Sequence, residues 1–597
     1  MTAAASNASP YYTFPQWMID HYGEILHRVP LDLGFGCPNR GRDGAGGCTF
    51  CAEDGGRAQQ ILSAETLECQ IDQGIHFARR RYGAQAFMAY VQAFTGTFAP
   101  ESEQRRLING ILDRFPFRAL SIGTRPDCLH DETISVLCEL RKRLDVWVEV
   151  GLQTSHDETL RAIRRGHTWE QSCAALRRLH AAGLRTAVHL ITGLPGETPA
   201  HVRATADALG ALPFGGIKIH NLHVLRNTAL AVQTSGVHVP DEFEHAEMVI
   251  DILRRIPPGV AVMRVQTDSP DADRIAPRWT MTKGRFAEFV ETQMRLREVR
   301  QGDLRAGTPP PPQTAEFAAT ETGDGSITFW NPAFHEHYHA PPGAYTEAAA
   351  KYVRPSRLGD RLARGDVRLL DICFGLGTNT LAACCEAAGH PEHALHVTAL
   401  EADRRVLRAA AAQFRCPPIN NTATPWTEDA WRRLLQRLWN DGQAQSANVA
   451  IRMLWGDARY TIRHADSGAA PYDIVFLDPF STQRNSELWT ADFFRRILEV
   501  MAADGVLLTY STAKPVLAGL LEAGFAVGFT APEGNHRPAC MASPDADQLP
   551  TRLPPAVAEA LRSTTGGIPY RDPHQTATNR DILRARQERV HHWKNST

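Results

Sequence analysis

Short apolar runs alternate with amphipathic runs along two separate stretches of this chain, and this alternation constrains the fold more than any other feature. In the first stretch, from Val29 to about Leu225, the strand candidates are VPLDLGF, FMAYVQAF, RALSIGT, DVWVEVGL, RTAVHLITG and GGIKIHNL. Runs with helical spacing separate them. Such alternation indicates βαβ units, so we expect an α/β fold in which six strands form an open or partial (βα)6 barrel. Ligands of such a barrel lie at the carboxyl ends of its strands.

A proline-rich segment, RAGTPPPPQTAEFAATETGDG, separates the two stretches and has no hydrophobic periodicity, which is typical of a linker. A second α/β series follows, with VRLLDICFGLGTN, HVTALEAD, VAIRMLWGDA, YDIVFLDPF and DGVLLTYST as strands. At 597 residues the chain is too long for one core. We therefore expect a first domain over 1–300, a linker over 301–323, a second, Rossmann-like domain over 324–550, and a polar tail with a basic helix over 551–597.

The composition limits the classes of partner. A net charge of -2 gives no general attraction to nucleic acid or to an anionic membrane. The N-terminus lacks the basic and apolar regions of a secretory signal, and no apolar run reaches the roughly 18 residues of a membrane helix. We therefore expect a cytoplasmic protein without a membrane partner. In that reducing compartment, clustered cysteines are more often metal ligands or catalytic groups than disulfides.

Three of the twelve cysteines lie within fifteen residues, in GFGCPNRGRDGAGGCTFC. Cys37, Cys48 and Cys51 follow the first strand candidate, and the glycines between them let the backbone fold tightly around a ligand. Structural zinc sites usually have four ligands, and no fourth Cys or His completes a pair here. An iron–sulfur cluster held by three cysteines keeps one iron open. The spacing favours a cluster, and zinc remains an alternative.

Further motifs in this half resemble radical S-adenosylmethionine (SAM) enzymes. They are YVQAFTGTFAP, SIGTRPD, VEVGLQTSHDETLRAIRRGHT, VHLITGLPGET and GIKIHNLHVL, in that order. The cysteine spacing departs from the common CxxxCxxC and is similar to that of YhcC-type proteins and of the catalytic subunit of Elongator, which modifies carbon 5 of the wobble uridine of tRNA. The resemblance implies a partial (βα)6 barrel in which a [4Fe-4S] cluster cleaves SAM to a 5′-deoxyadenosyl radical.

The same resemblance implies roles for particular residues. The cluster ligands are Cys37, Cys48 and Cys51. The candidates for SAM contact are Gln92, Arg125, Glu149, Gln153, Gly193 and Gly196. Among them, Glu149 and Gln153 are expected at the ribose and amino groups, and Arg125 at the carboxylate. A turn glycine or a satisfied polar group of the barrel interior is the structural alternative for these side chains.

The second α/β series contains a glycine loop, LLDICFGLGTN, in which an apolar strand ends at Gly375-x-Gly377. A G-x-G pair alone is weak evidence. Its neighbours strengthen it, because Glu401 ends the next strand, where a carboxylate can bind ribose hydroxyls, and Asp457 ends the third, where one can meet the adenine amino group. The missing third glycine argues against a pyrophosphate and suits SAM. We include Asp371, on the strand before the loop, among the expected SAM contacts.

The turn Asp478-Pro479-Phe480 follows the fourth strand of this series. It resembles the (D/N)PP(Y/F) turn of enzymes that methylate exocyclic amines, in which an acceptor lies beside the amine and a ring stacks on the base. Asp478 and Phe480 are therefore the expected catalytic residues, with Asp478 also close to SAM. A plain βα turn is the structural alternative.

Several segments of this half closely resemble the methyltransferase half of MnmC-type enzymes. They are ITFWNPAFHEHYHAPPGAYTEAAAKYV, LDICFGLGTN, GDAR and FLDPFSTQRNSELW, and the match runs from about Gly325 to Ala542. The resemblance implies transfer of a methyl group from SAM to the primary amine of 5-aminomethyluridine at the wobble position of tRNA. The departure is DPF, where the family has DGF. It retains the aspartate and the aromatic ring, and affects substrate presentation more than reaction class.

Together these resemblances imply a bifunctional tRNA wobble-uridine enzyme. The hypothesis is that the radical half converts 5-carboxymethylaminomethyluridine, with or without the 2-thio group, to the primary amine, which the second half methylates. The partners would be a tRNA anticodon stem-loop and an electron donor such as flavodoxin or ferredoxin. Alternatives are another radical reaction beside the same methyltransferase, and a zinc-stabilised RNA-binding module. RRRYG, RRGH and the C-terminal helix are basic, and solvated surface is their simpler explanation.

Overall fold

The structure is a computed structural model of the chain. It describes residues 9–41, 46–52, 55, 64, 66–232, 237–267, 272–307, 317–417, 425–465, 470–531 and 538–596. The four-proline run of the expected linker lies outside these residues. The chain divides into two compact units, one comprising Met1–Arg295 with Val299–Pro312 and the other Leu296–Glu298 with Gln313–Thr597.

The first unit is built on a parallel sheet of seven strands in the order β1-β2-β3-β4-β5-β6-β8. The strands of this unit are β1 His27–Leu31, β2 Phe87–Val91, β3 Ala119–Thr124, β4 Asp145–Gln153, β5 Arg185–Thr192, β6 Gly216–Asn221, β7 Val224–Leu225, β8 Ala261–Arg264 and β9 Arg274–Ala276. The six predicted strands and the partial barrel are confirmed. The seventh sheet strand, β8, is not among the predicted strands, because four residues are too short a run to stand out.

Helices connect the strands of this sheet. They are α1 Phe14–Tyr22, α2 Leu67–Tyr82, α3 Glu101–Arg114, α4 Asp131–Leu140, α5 Asp157–Ala162, α6 Trp169–Ala181, α7 Pro199–Gly210, α8 Ala229–Val232, α9 Glu242–Arg255 and α10 Lys283–Leu296. Local sequence fixes their starts. At α6, the Thr168 side chain accepts from the Gln171 backbone and the Gln171 side chain accepts from the Thr168 backbone, which is a capping box.

Aromatic residues close the amino-terminal end of the barrel. Phe14 and Trp17 of α1 meet Trp147 of β4 edge to face, with ring centroids 5.7 and 4.8 Å apart. Small and apolar residues near the starts of the strands complete this cluster, among them Ala119 and Ala187. All are buried. Because one end is filled by side chains, a ligand enters from the carboxyl ends of the strands.

The second unit contains a mixed sheet of nine strands in the order β15-β16-β14-β13-β17-β18-β20-β19-β21. The strands of this unit are β10 Ala319–Glu321, β11 Ile327–Asn331, β12 Glu336–His337, β13 Val367–Ile372, β14 Leu395–Glu401, β15 Gln443–Ser446, β16 Val449–Trp455, β17 Tyr472–Leu477, β18 Met501–Thr509, β19 Ala526–Phe529, β20 Cys540–Ser543 and β21 Thr551–Arg552. Its five central strands are parallel. The order reverses beside β13, which is the switch point of a Rossmann-like sheet and confirms that prediction.

Helices cover both faces of this sheet. They are α11 Ala344–Ala348, α12 Leu358–Leu362, α13 Thr378–Ala387, α14 Arg404–Gln413, α15 Glu428–Asp441, α16 Ala458–Ala465, α17 Ala491–Val500, α18 Lys514–Ala523, α19 Pro555–Arg562 and α20 Asn579–Ser596. No helix in the described parts of the chain is long and apolar enough to cross a membrane.

The C-terminal segment expected to be a polar tail packs against the second unit. Tyr570 and Ile582 are buried in its apolar core. The Asp572 carboxylate accepts from Arg459 Nη1 at 2.9 Å, and Asp492 accepts two hydrogen bonds from Arg571 at 2.9 Å each. Ion pairs as well as apolar contacts hold this segment in place, which accounts for its many polar residues.

Candidate active sites

A cavity opens at the carboxyl end of the barrel sheet, beside the cysteine loop. Its lining includes all three clustered cysteines, Cys37, Cys48 and Cys51. Four further candidates also line it: Gln92, Arg125, Glu149 and Gln153. The fold therefore brings together seven of the nine residues that the sequence assigns to this site.

Polar N–H groups surround the cysteine sulfurs. Arg165 Nη1 donates to Cys48 Sγ at 3.6 Å, and Asn39 Nδ2 lies 3.5 Å from the same sulfur. Arg125 Nη1 lies 4.0 Å from Cys37 Sγ. Such donors stabilise negative charge on sulfur, whereas burial raises the pKa of the Cys51 thiol. The site therefore contains the cysteine thiols together with N–H donors that stabilise the negative charge of the thiolates.

A [4Fe-4S] cluster fits this set of ligands. Cys37, Cys48 and Cys51 would hold it, with guanidinium groups balancing the charge. A single ion needs its ligands much closer together, at about 2.3 Å from one metal. Within the described ranges, no three or more His, Cys, Asp or Glu side chains are arranged for such an ion.

The residues expected to contact SAM differ in how many of their polar atoms remain available to a ligand. Arg125 is 2% exposed, and its Nε and Nη2 bind the two oxygens of Asp127 at 2.9 and 2.8 Å. Its remaining nitrogen faces Cys37, so only that part of the guanidinium is directed to the cavity. Gln153 has a φ of 78° at the end of β4, a conformation that non-glycine residues rarely adopt and that is often kept at functional sites.

Gly193 and Gly196 follow β5 and are not among the residues that line the cavity. Both have positive φ angles, 78° and 80°. A Cβ at Gly193 would lie 2.4 Å from Pro240 Cδ, so close packing explains that glycine. Nothing lies within 4 Å of a Cβ at Gly196.

Six strands each contribute one polar side chain to a layer below the cavity. We call this set the polar layer; it consists of Tyr90, Ser121, Glu149, His189, Lys218 and Arg264. Strand register aligns its members, because His189 pairs with Lys218 and Lys218 pairs with Arg264 on adjacent strands. The layer lies above the aromatic end of the barrel, and three of its members line the cavity.

Glu149 is the centre of the polar layer. It is 0% exposed and forms an ion pair with the equally buried Lys218. Its other partners are Ser121 Oγ at 2.7 Å, His189 Nε2 at 2.9 Å and Tyr90 Oη at 3.3 Å. Burial alone would raise the pKa of Glu149, but Lys218 and His189 hold it well below its usual range. The structure thus places Glu149 in a satisfied barrel interior as well as at the cavity wall.

In the second unit, the glycine loop joins β13 to α13. Gly375 N donates to Glu401 Oε2 at 2.9 Å, and Asp403 N donates to Glu401 Oε1 at 2.8 Å. A Cβ at Gly377, where φ is 78°, would lie 2.6 Å from the Phe374 ring. The loop therefore needs glycine, and its backbone fixes the carboxylate expected at the ribose.

Asp371 and Asp457, which are also expected to contact SAM, already have hydrogen-bond partners within the protein. Asp371 is fully buried and accepts from Thr380 Oγ1 at 2.5 Å, while its Oδ1 has no partner within the described chain. Burial raises the pKa of Asp371 to about 7. Asp457 receives Arg459 Nε and Nη2 at 3.0 and 2.7 Å, so its carboxylate is engaged by an ion pair rather than free.

Asp478 directly follows β17 and lies between two donors. Tyr352 Oη donates to its Oδ1 at 2.7 Å and Asn379 Nδ2 donates to its Oδ2 at 2.8 Å. Burial raises the pKa of Asp478 to about 6, although both hydrogen bonds lower it. The side chain is therefore an oriented acceptor that is mostly ionised at neutral pH.

Phe480 belongs to a cluster of rings beside this acceptor. It stacks on Phe334, with ring centroids 4.4 Å apart and 20° between planes, and lies 5.0 Å from Tyr338. Trp489 Nε1 donates to the Phe480 carbonyl at 2.8 Å, and Tyr510 Oη donates to the Pro479 carbonyl at 3.0 Å. The turn is held rigidly, so an acceptor and a half-buried aromatic surface have fixed positions.

Sequence reasoning missed several of these groups. Arg165 and His167 are 9% and 6% exposed, so of the two arginines in RRGH only Arg164 is at the surface. His189 and Lys218 had a signal, since each is a polar residue at the centre of an apolar strand candidate. Tyr352 and Asn379 had none, because their role depends on a partner about a hundred residues away.

Family models match most of the first half and part of the second. One described as the radical SAM superfamily matches residues 33–209, and one described as the Radical_SAM C-terminal domain matches residues 214–295. A model described as an S-adenosyl-L-methionine-dependent methyltransferase matches residues 421–545.

Curated relatives divide between the two halves in the same way. YtqA of Bacillus subtilis (strain 168) is 34% identical over 295 residues, which are 49% of this chain and 92% of YtqA. Protein YhcC of Escherichia coli (strain K12) is 34% identical over 46% of this chain and 89% of YhcC. The tRNA 5-methylaminomethyl-2-thiouridine biosynthesis bifunctional protein MnmC of Burkholderia multivorans is 28% identical over 34% of this chain and 31% of MnmC. The chain therefore belongs to the radical SAM superfamily, as a fusion of a YhcC-like radical SAM half with an MnmC-like methyltransferase half.

Proposed function

We propose that this protein is a bifunctional tRNA wobble-uridine enzyme. Its first half, about residues 1–300, converts 5-carboxymethylaminomethyluridine, with or without the 2-thio group, to 5-aminomethyluridine. Its second half, about residues 324–550, methylates the resulting amine to give 5-methylaminomethyluridine. The observation that carries this proposal is the fusion itself, in which a radical SAM half precedes an MnmC-like half on one chain. The methyltransferase needs a primary amine, and the radical half supplies it.

The first reaction breaks the bond between the amine nitrogen and the carboxymethyl carbon. The cluster, when bound, supplies the electron that cleaves SAM to methionine and the 5′-deoxyadenosyl radical. That radical takes a hydrogen atom from the carbon between the amine and the carboxylate. This carbon is favoured because both neighbouring groups stabilise the carbon radical that results. Loss of one electron to an acceptor of the flavodoxin or ferredoxin class, and of the N–H proton, gives an imine. Water then splits the imine into the primary amine and glyoxylate.

The side chains at the cavity bind and orient the reactants of this step. The three cysteines hold the cluster, and Arg165 and Asn39 stabilise sulfur charge at Cys48. Gln153 stands at the cavity wall in a constrained backbone conformation and is suited to a fixed contact with SAM. The polar layer places buried charged side chains next to the substrate group.

The second reaction is a direct methyl transfer. The amine attacks the methyl carbon of SAM, the sulfonium leaves as S-adenosylhomocysteine, and the amine loses a proton. Asp478 accepts a hydrogen bond from the amine. Tyr352 and Asn379 donate to its two carboxylate oxygens and so hold the carboxylate in a fixed orientation for this contact. Phe480 provides a face on which the base stacks. Glu401, held by the loop backbone, binds the ribose of SAM.

The test is to incubate the anaerobically reconstituted protein with tRNA that bears carboxymethylaminomethyluridine, SAM and reduced flavodoxin, and to analyse the nucleosides. We expect 5-methylaminomethyluridine, with glyoxylate and 5′-deoxyadenosine in equal amounts. Unchanged starting nucleoside with a fully loaded cluster would refute the first reaction. Consumption of unmodified wobble uridine would instead indicate another carbon-5 reaction, and zinc without iron would indicate an RNA-binding module.

A further inference from the structure

The polar layer carries more positive than negative charge. Arg28, Lys218 and Arg264 all act electrostatically on it, and Glu149 is the carboxylate paired with Arg28 and Lys218. His189 adds no charge at neutral pH, because burial lowers its pKa to about 4. Buried charges are normally paired, so a net positive barrel interior favours an anionic group of a ligand.

Among the described residues, Arg264 is the cation of this layer with no carboxylate paired to it. Glu149 is committed to Lys218, His189, Ser121 and Tyr90. By contrast, Arg264 is half-buried at the end of β8 and, within the part of the chain described, has no hydrogen-bond or ion-pair partner. It lies beside Lys218, because the two residues are paired on the neighbouring strands β8 and β6, and its charge also acts on His220. A guanidinium presents five donors, which suits a carboxylate bound through both oxygens.

A second orphaned group lies next to Arg264. His220 stands two residues after Lys218 on β6, on the same face of the strand and nearer the carboxyl end. Its Nδ1 is bonded to Thr267, whereas its Nε2 is buried without a partner among the described residues. The His220 and His189 rings are 5.2 Å apart, and His189 lines the cysteine cavity. His220 is therefore next to a residue of the cavity wall, and Arg264 lies on the strand beside it.

We propose that Arg264, with His220 beside it, binds the carboxylate of the substrate's carboxymethylamino group. This inference rests on the proposed function and names the feature of the substrate that the radical half recognises. The carboxymethylamino group carries a carboxylate at neutral pH, and this carboxylate pairs with Arg264. The bound carboxylate then lies next to His189, which is part of the cavity wall beside the cysteine loop.

This arrangement protects the product of the second half. Aminomethyluridine and methylaminomethyluridine carry the amine but no carboxylate, so neither can pair with Arg264. The radical half therefore binds its substrate more tightly than either product and leaves the finished methylamine intact.

The experiment compares binding of two anticodon stem-loop oligonucleotides, one with carboxymethylaminomethyluridine and one with methylaminomethyluridine, to the cluster-loaded protein without reductant. We expect wild type to prefer the carboxylate by about tenfold or more, and Arg264→Gln to lose that preference. Under turnover, Arg264→Gln should raise KM about 10- to 100-fold, and Arg264→Lys should restore part of it because the charge returns. His220→Gln should weaken the preference less.

Iron content and the electron paramagnetic resonance spectrum of the reduced cluster with SAM report whether the first half is folded. Arg118→Gln is the matched control, since Arg118 is an exposed arginine paired with Glu24 outside the barrel. An unchanged preference in a cluster-loaded Arg264→Gln protein, or no preference in wild type, would overturn the inference. Failure of wild type to convert the carboxymethyl substrate would refute the proposed function instead, so the two failures are distinguishable.

Discussion

The two candidate active sites use charge in opposite ways. In the radical half, arginines surround the cysteine sulfurs, and the polar layer has a net positive charge around one buried carboxylate. In the methyltransferase half, Asp371, Glu401 and Asp478 face the glycine loop, and burial raises the pKa of both Asp371 and Glu401 to about 7.

This contrast teaches how one small molecule can be bound for two chemistries. Both families act with SAM, which has an amino-acid end, a sulfonium and a ribose. In the proposed reactions, thiolates and an anionic substrate would bring negative charge into the first site, which cations must balance. Ribose hydroxyls and a substrate amine would bring donors into the second, which carboxylates accept. If the two sites are independent, a change in either should leave the other reaction intact.

The largest expected effect is loss of the cysteines. Replacing Cys37, Cys48 and Cys51 together by serine should remove the iron and sulfide and lower SAM cleavage roughly 10³-fold or more, because the cluster carries the chemistry. Methyl transfer to tRNA that already contains aminomethyluridine should continue at the wild-type rate. The measurements are metal analysis, 5′-deoxyadenosine formation and methyl incorporation. Cys69→Ser is the control, since Cys69 is an exposed cysteine. A fall in methyl transfer would show that the halves are coupled.

The next effect is at the opposite site. Asp478→Asn should lower the rate of methyl transfer about 10²- to 10³-fold, because the amine loses an oriented acceptor. Glyoxylate formation by the radical half should be unchanged. Asp360→Asn is the matched control, because Asp360 is exposed and its one ion pair, with Arg357, is on the surface.

The pH dependence gives the same site a second readout. Burial raises the pKa of Asp478 to about 6, so the carboxylate is ionised above that value and protonated below it. Methyl transfer should therefore be present at neutral pH and decline as pH falls through about 6. In Asp478→Asn this acidic limb should disappear. A wild-type rate that stays constant between pH 7 and 5 would contradict the assigned role.

The smallest effect concerns the aromatic surface. Phe480→Ala should raise KM for tRNA in methyl transfer about 10- to 100-fold, since stacking of one base contributes about 1–3 kcal/mol. Phe480→Tyr keeps the ring and should stay within about threefold of wild type. Steady-state kinetics separate this from a catalytic role, because kcat should change less than KM. Equal losses in both variants would mean that the ring has a structural role in the turn.

Much of the fold was predictable because it depends on local periodicity. The six barrel strands and the central strands of the second sheet follow from apolar runs in alternation with amphipathic ones. β8 was missed, and with it Arg264, because a four-residue strand has too little pattern. The C-terminal segment is polar in sequence, yet Tyr570 and Ile582 are buried. Its charged residues form ion pairs with distant parts of the chain, and only the folded chain brings these partners together.

The sequence by itself determined the two enzyme families that the halves resemble. The cysteine loop, the glycine loop and the DPF turn are short motifs, and each acts through residues close together in the chain. Only the tertiary structure decided which charges meet. Arg28, Glu149, Lys218 and Arg264 come from four strands and gather because parallel register places them at one level of the barrel. Likewise Tyr352 reaches Asp478 across 126 positions. Long-range pairing leaves no periodic trace, so buried polar networks appear only when the chain is folded.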